Sequence, residues 1–324
     1  MNVGVYFDLR NPPGSGRSTS HLYGFTLEMC EEAERLGAHS IWLTEHHLFD
    51  DGYLPQPLTF AAAVAARTRR VRIGTAILIG PLHAAPEIAE NAAVVDLVSG
   101  GRLDLGLGSG YRVPEFELYG ADIATRYRDN DQRVRELRAI WAEGRVTPAP
   151  AQERVPIWLG YQGPRGAQRA GRLGEGLLTA NAALYGPYRD ALVEAGHDPA
   201  VARMTGGIQA WITDDPEADW PLIRPHLAYQ LDSYRRHMVE GTGQPQPRPV
   251  DPDRTRARGL GGILHGFLHA TPADAAEAIT DHTAGAPVET VYIFASLGGT
   301  PDELVARHVE VICTKLAPLL ADDV

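Results

Sequence analysis

Short runs of β-branched and aromatic residues alternate with longer amphipathic segments eight times along this chain, and that alternation constrains the fold more than any other feature. The predicted strands are Val3–Phe7, Ser40–Thr44, Val71–Ile79, Arg102–Leu107, Pro156–Leu159, Gly176–Thr179, Gly206–Thr213 and Val288–Phe294. Between them, apolar residues recur at helical spacing over Thr26–Leu36, Leu58–Thr68, Pro86–Val98, Asn130–Trp141, Arg165–Leu173, Pro187–Ala195 and Pro216–Val239. Thr271-Pro272 and Thr300-Pro301 open two further helices, Ala273–His282 and one running to Leu320. In the first, threonine serves as a cap and proline suits a first turn whose N–H groups have no intrahelical partner. Strands separated by helices pair in parallel through right-handed crossovers, closing as a barrel or spreading as an open doubly wound sheet. Eight units in 324 residues favour an α/β fold of the (β/α)8 TIM-barrel type, and no dinucleotide-type glycine fingerprint opens the first helix. A single barrel domain over residues 1–324 is therefore expected. The insertion expected between strands seven and eight, residues 240–262, is rich in Gly, Pro, Gln and Arg from Glu240 to Arg258 and reads as mobile.

Charge and composition narrow the function. Acidic residues outnumber basic ones 41 to 30, a formal net charge of -11, with no run of Lys or Arg; this argues against nucleic acid or an anionic membrane as partner. No apolar stretch approaches the roughly 20 residues that span a bilayer. The start, Met1 to Asp8, turns acidic too soon for a secretion signal. Cys30 and Cys313, the only cysteines, lie in apolar-periodic segments and read as buried thiols. Together these point to a cytoplasmic protein.

In a parallel barrel the chemistry gathers at the C-terminal strand ends. The densest polar cluster there is Glu45-His46-His47, after the second strand. Neighbouring strand residues point to opposite faces, and no second ligand pair accompanies the three, so no metal site is expected. An imidazole that titrates near neutrality suits acid–base work or substrate binding; the plain alternative is a histidine that satisfies backbone groups at a strand end. After the fifth strand, the loop from Gly160 through Tyr161, Gln162 and Gly163 to Gly166 is glycine-rich and leads into a helix. Free N–H groups at such a helix start form an anion site. Arg126 would add a guanidinium, or is simply a solvated arginine at a helix start.

At these residues the sequence resembles the bacterial luciferase-like flavin-dependent monooxygenases over essentially its whole length. The likeness rests on Trp42 to Phe49, Gly74-Thr75 with Glu90 to Asp96, Ser99 to Tyr111, Phe116 to Gly120 and Val155 to Gly160. Leu231 to Tyr234, Thr271 to Asp274, Gly299 to Leu304 and Leu316 to Pro318 continue it in order. The resemblance implies a barrel that binds reduced FMN from a separate flavin reductase. In that family O2 adds to the reduced flavin to give a flavin hydroperoxide, which oxygenates a small organic substrate. The protein orients the cofactor and excludes water.

By position, the resemblance makes His46 the acid–base histidine, with Glu45 and His47 orienting it or shaping the pocket. Thr75 and Ala76 would back the flavin ring. Ser109, Tyr111, Arg126, Gly160, Tyr161, Gln162, Gly163 and Gly166 complete the implied cofactor set, the loop and Arg126 holding the phosphate. A homodimer or heterodimer is also implied, through the second and third helices, and residues 240–262 would order over the flavin.

The sequence departs from the family pattern in places. Gly108 replaces a reactive cysteine, Ser109 replaces an arginine, and His83 is out of register, so no role is carried onto it. No aromatic residue stands near Thr179-Ala-Asn181, which implies a substrate other than a long aldehyde. Two other functions remain open: deazaflavin-dependent hydride transfer on the same barrel, with Arg165 and Arg169 near the phosphate loop, and a non-catalytic flavin-binding partner subunit.

Overall fold

The computed structural model describes residues 1–256, 259–260 and 266–321. Its strands are β1 (Asn2–Phe7), β2 (Ser40–Leu43), β3 (Arg72–Thr75), β4 (Leu78–Ile79), β5 (Leu103–Gly108), β6 (Ile157–Leu159), β7 (Gly176–Leu178), β8 (Met204–Ile208), β9 (Ala210–Ile212), β10 (Leu268–Ala270) and β11 (Val288–Phe294). Hydrogen bonding runs β3-β2-β1-β11-β8-β7-β6-β5-β4, and β3 also pairs with β5. Every pairing is parallel, so the sheet closes into a (β/α)8 barrel in which β3 and β4 share the third position.

The strands alternate between two buried faces. Val5, Ile41, Ile73, Leu105, Ile157, Leu177 and Ile293 point outward into the main core under the helices. Tyr6, Trp42, Trp158, Tyr292 and Phe294 form a separate aromatic cluster. Its bulk is matched by glycine on the neighbouring strand. Trp42 is in register with Gly74, Trp158 with Gly176 and Tyr292 with Gly207. A Cβ at those glycines would lie 2.3, 2.4 and 2.6 Å from the facing ring, so only glycine fits under each aromatic.

The helices are α1 (Thr19–Arg35), α2 (Pro57–Arg67), α3 (Ala85–Ser99), α4 (Val113–Tyr119), α5 (Arg126–Ala142), α6 (Gly163–Leu173), α7 (Tyr185–Glu194), α8 (Pro216–Val239), α9 (Pro252–Arg256), α10 (Pro272–Thr283), α11 (Asp302–Val311) and α12 (Ala317–Leu320). The Thr271 cap holds as predicted, its hydroxyl accepting from the Asp274 N–H.

Several elements differ from the sequence reading. The helix predicted from Thr26 starts at Thr19, because the Ser18 side chain caps the His21 N–H. The third strand breaks at a cis peptide between Ala76 and Ile77. The seventh breaks at Gln209: β8 stays in the barrel, while β9 leaves it to pair with β10, which follows the insertion and was not predicted. Helix α4 was also not predicted. The last helix is split by a π-helical turn, Ile312–Leu316. In the insertion, Glu240 lies against α4, and α9 packs back on α8 through a Trp220 Nε1 bond to Asp253 of 2.7 Å. Residues 257–258 and 261–262 of the predicted segment lie outside the described residues.

Candidate active site

Residues just beyond β2, β3, β5 and β6 enclose a cavity of about 430 Å³ at the C-terminal end of the barrel. One side is small or aliphatic: Ala76, Ile77, Ile79, Gly108, Ser109, Gly110 and Gly160. The remaining lining is aromatic and polar, with His46, Tyr53, Tyr111 and Tyr234 prominent.

The chain beyond β2 stops alternating where it bends, and this separates the three polar residues. The bend is held by the His46 N–H to the Leu54 carbonyl, 3.0 Å, and the Leu54 N–H to the Asp8 carbonyl, 3.1 Å. His46 faces the cavity. Its Nδ1 lies 2.8 Å from Glu115 Oε1, which also accepts the His47 N–H at 2.9 Å. Its Nε2 lies 3.3 Å from the Tyr111 hydroxyl. A carboxylate behind one ring nitrogen fixes the orientation of the imidazole and leaves the other nitrogen toward the cavity. Glu115 comes from α4, the element absent from the sequence reading.

Glu45, which also borders the cavity, joins His47 in a buried cluster with His83. Glu45 Oε1 lies 2.8 Å from His47 Nε2 and 2.6 Å from His83 Nε2, and Oε2 accepts the Ile79 N–H at 2.5 Å. Burial alone would raise the Glu45 pKa, but the His47 and His83 bonds hold it below the ordinary range. Burial opposes charge on His83 too, and the bond to Glu45 outweighs it, so His83 titrates high. Glu45, His47 and His83 thus form the kind of trio that holds metals, their ligand atoms lying within 4.8 Å of one another. They are joined by direct hydrogen bonds. An ion with bonds of about 2.0–2.2 Å would have to wedge between atoms now in contact. The sequence reading found no second ligand for this cluster; the fold supplies His83, whose offset register hid it.

The remaining predicted residues divide into three groups. Ala76, Ser109, Tyr111, Gly160 and Gln162 line the cavity. Thr75 does not: its hydroxyl donates to the Gly106 carbonyl at 2.7 Å and accepts the Gly106 N–H at 2.8 Å, tying β3 to β5. Tyr161 is buried toward α5, bonded to Asn130 at 2.8 Å and Asp131 at 2.5 Å. Gly163 begins α6 with a left-handed φ of +68° and open space over its Cα. At Gly166 a Cβ would meet Tyr161 Cβ at 2.6 Å, so the first turn of α6 sits directly against the loop. Arg126 is not among the cavity-lining residues, and its Nη1 donates to the Ile123 carbonyl at 2.9 Å. Its guanidinium carbon stands 4.5 Å from the ring centroid of Tyr127, a cavity residue, and its buried Nε has no partner. Arg169 approaches the same ring at 5.4 Å and pairs with Asp131, while Arg165 is exposed.

A family model, luciferase-like monooxygenase, matches residues 1–311. The chain belongs to this family of oxidoreductases. Among luciferase-like relatives, it is 30% identical over 198 residues to an F420-dependent glucose-6-phosphate dehydrogenase of Amycolatopsis mediterranei, covering 54% of this chain and 59% of that one. It is 30% identical over 164 residues to the oxygenase component of a flavin-dependent trigonelline monooxygenase of Acinetobacter baylyi, covering 46% of each chain. The chain thus spans about half the length of the curated relatives it matches. The crystal structure of monooxygenase RslO1 from Streptomyces bottropensis superposes with a TM-score of 0.80 at 25% identity, covering 99% of this chain and 100% of that one. No helix among the described residues is long and apolar enough to cross a membrane.

Proposed function

We propose that this luciferase-like chain is the oxygenase of a two-component monooxygenase, using reduced FMN from a separate flavin reductase and O2 to oxygenate a small organic substrate in the cytoplasm. The observation that carries the reading is one cavity in which a histidine–carboxylate pair faces a wall of small residues leading to a helix N-terminus. A flat ring fits against Ala76, Ile77 and Gly108. The free N–H groups of α6 and the unpartnered Nε of Arg126 suit a phosphate. Bound there, reduced FMN would supply the electrons that activate O2.

The protein's own groups do the rest. His46 accepts or donates a proton at Nε2, and Glu115 holds the ring and stabilises its charged form. The aromatic wall keeps water from the reacting atoms. Glu45 and His47 act behind His46 by fixing the bend from which it projects. Residues 240–256 close over the cavity mouth; limited proteolysis of this stretch should slow when flavin is bound, and equal cleavage would remove the lid.

The second reading, hydride transfer with reduced F420, is favoured by the F420-dependent relative. Anaerobic titration of the purified protein with reduced FMN and with reduced F420 separates the two. Tighter binding of FMN, followed by O2 consumption that depends on substrate, is the expected result. Preference for F420 overturns the FMN reading, and binding of neither overturns both.

A further inference from the structure

Behind the aromatic wall lies a set of polar groups that the chemistry above does not use. Tyr6, Tyr53 and Tyr234 line the cavity and form a chain of hydroxyls, with Tyr6 Oη to Tyr53 Oη 3.0 Å and Tyr53 Oη to Tyr234 Oη 2.7 Å. Hydroxyls joined in a row hold one proton more than their mutual bonds use. When Tyr6 donates to Tyr53 and Tyr53 donates to Tyr234, the spare proton is on Tyr234, which is buried and faces the cavity.

The row is backed by a buried cation. The Arg10 guanidinium carbon is 5.0 Å from the Tyr53 ring centroid and 4.9 Å from that of Tyr234. Arg10 donates to Asp51 at 2.7 Å and Ser233 at 2.5 Å, and its Nη1 has no partner. Asp8 and Asp51 are the acidic groups facing it, each with one buried oxygen unpartnered. Burial drives the Asp8 carboxyl up to about 6 against the opposing pull of Arg10. Burial likewise keeps Tyr6, Tyr53 and Tyr234 protonated as donors, Tyr234 at about 12. The cavity therefore has a donor row polarised by Arg10, and beside it the His46 ring, 4.8 Å from Tyr53 and 6.4 Å from Tyr234.

We propose that this cavity selects a flat substrate carrying an ionisable ring hydroxyl, a phenol or an enol, whose oxygen docks between Tyr234 and His46. The proposal rests on the oxygenase reading and adds the substrate class to it. The rings of Tyr53, Tyr111 and Tyr234 suit a flat partner. The substrate oxygen accepts a hydrogen bond from the Tyr234 hydroxyl and displaces the long Tyr111 contact at His46 Nε2. Its own proton passes to Nε2: the O–H bond breaks, an N–H bond forms, and the bonding pair stays on oxygen. The imidazolium so formed keeps Glu115 on its other nitrogen, and the oxyanion keeps the Tyr234 donor.

The test uses 4-nitrophenol and its methyl ether, 4-nitroanisole, with the purified full-length protein and no cofactor. Absorbance reports the ionisation of the bound phenol, and equilibrium dialysis reports both affinities. The expected result is a phenolate band below the pH at which free 4-nitrophenol ionises, with the ether binding about tenfold or more weakly. Tyr234→Phe should erase the difference while circular dichroism and melting stay those of the parent, and Tyr53→Phe provides the same test should Tyr234→Phe fold poorly. Equal affinity for phenol and ether, a bound phenol that stays neutral, absence of binding, or a preference that survives in the folded Tyr→Phe variants overturns the proposal. The titrations with reduced FMN and F420 are separate, so failure of the substrate class and failure of the oxygenase reading give different results.

Discussion

His46 and His83 are both buried histidines bonded to a carboxylate, yet they lead to different expectations. His46 opens onto the cavity, so His46→Gln should lower turnover about 10²–10⁴-fold while reduced-flavin affinity, read by anaerobic titration, stays the same. Loss of both together would assign His46 to binding alone. His83 is enclosed, and its replacement acts on folding. His83→Gln should cost about 1–3 kcal/mol of stability, measured by urea unfolding. The pH dependence has a defined sign. Glu45, ordinarily at 4.5, is held low, so its contribution is present above that value and fades as pH falls through the lowered pKa. His83, ordinarily at 6.5, is held high, so its contribution is full below that value and fades as pH rises through the raised pKa. The stability gap between parent and variant should therefore be widest between those two values and shrink on both sides; a gap flat in pH would deny the ion pair. In the sequence, Glu45-His46-His47 stood out because three polar residues follow an apolar strand. Glu115, Arg10 and Tyr234 did not, because their roles depend on contacts 69, 41 and 181 residues away.

Strands and helices were legible where one period dominates. The outward-facing residues of β1, β2 and β11 make hydrophobic runs that announce themselves. The breaks at Ala76 and Gln209 fall inside runs that look continuous, and what ends pairing there is a change of neighbour. Short α4 has little periodicity of its own and is held by what it touches: Glu115 binds the His46 loop and Phe116 packs on Ile79. The glycines facing the barrel aromatics were also opaque, since a glycine in a strand does not reveal which ring lies across from it. Gly74→Ala measures that fit directly. The new Cβ must push Trp42 aside, and overpacking of this kind costs about 1–3 kcal/mol, read as a lower denaturant midpoint. An unchanged midpoint would mean that the interior has slack.

On the scale of the whole molecule, α3 presents Val94, Leu97 and Val98 outward, 50%, 40% and 49% exposed. This exposed apolar strip on α3 fits the dimer expected through the second and third helices. Sedimentation equilibrium should show a dimer for the parent and a monomer for the Val94→Asp, Leu97→Asp double variant; a monomeric parent would refute it. The barrel itself followed from counting eight units, whereas its interior could not be read because filling is a property of all strands together. That filling has a consequence for kinetics. Tyr6, Trp42, Trp158, Tyr292 and Phe294 stop the barrel below the cavity, and Trp42 and Trp158 face a separate recess of about 300 Å³ at the opposite end. Among the described residues the aromatic cluster thus separates the cavity from that recess. If flavin and substrate share this cavity as proposed, the one lying deeper against the aromatic floor should arrive first and leave last, so the two should bind in compulsory order and excess of the outer one should trap the inner one in place.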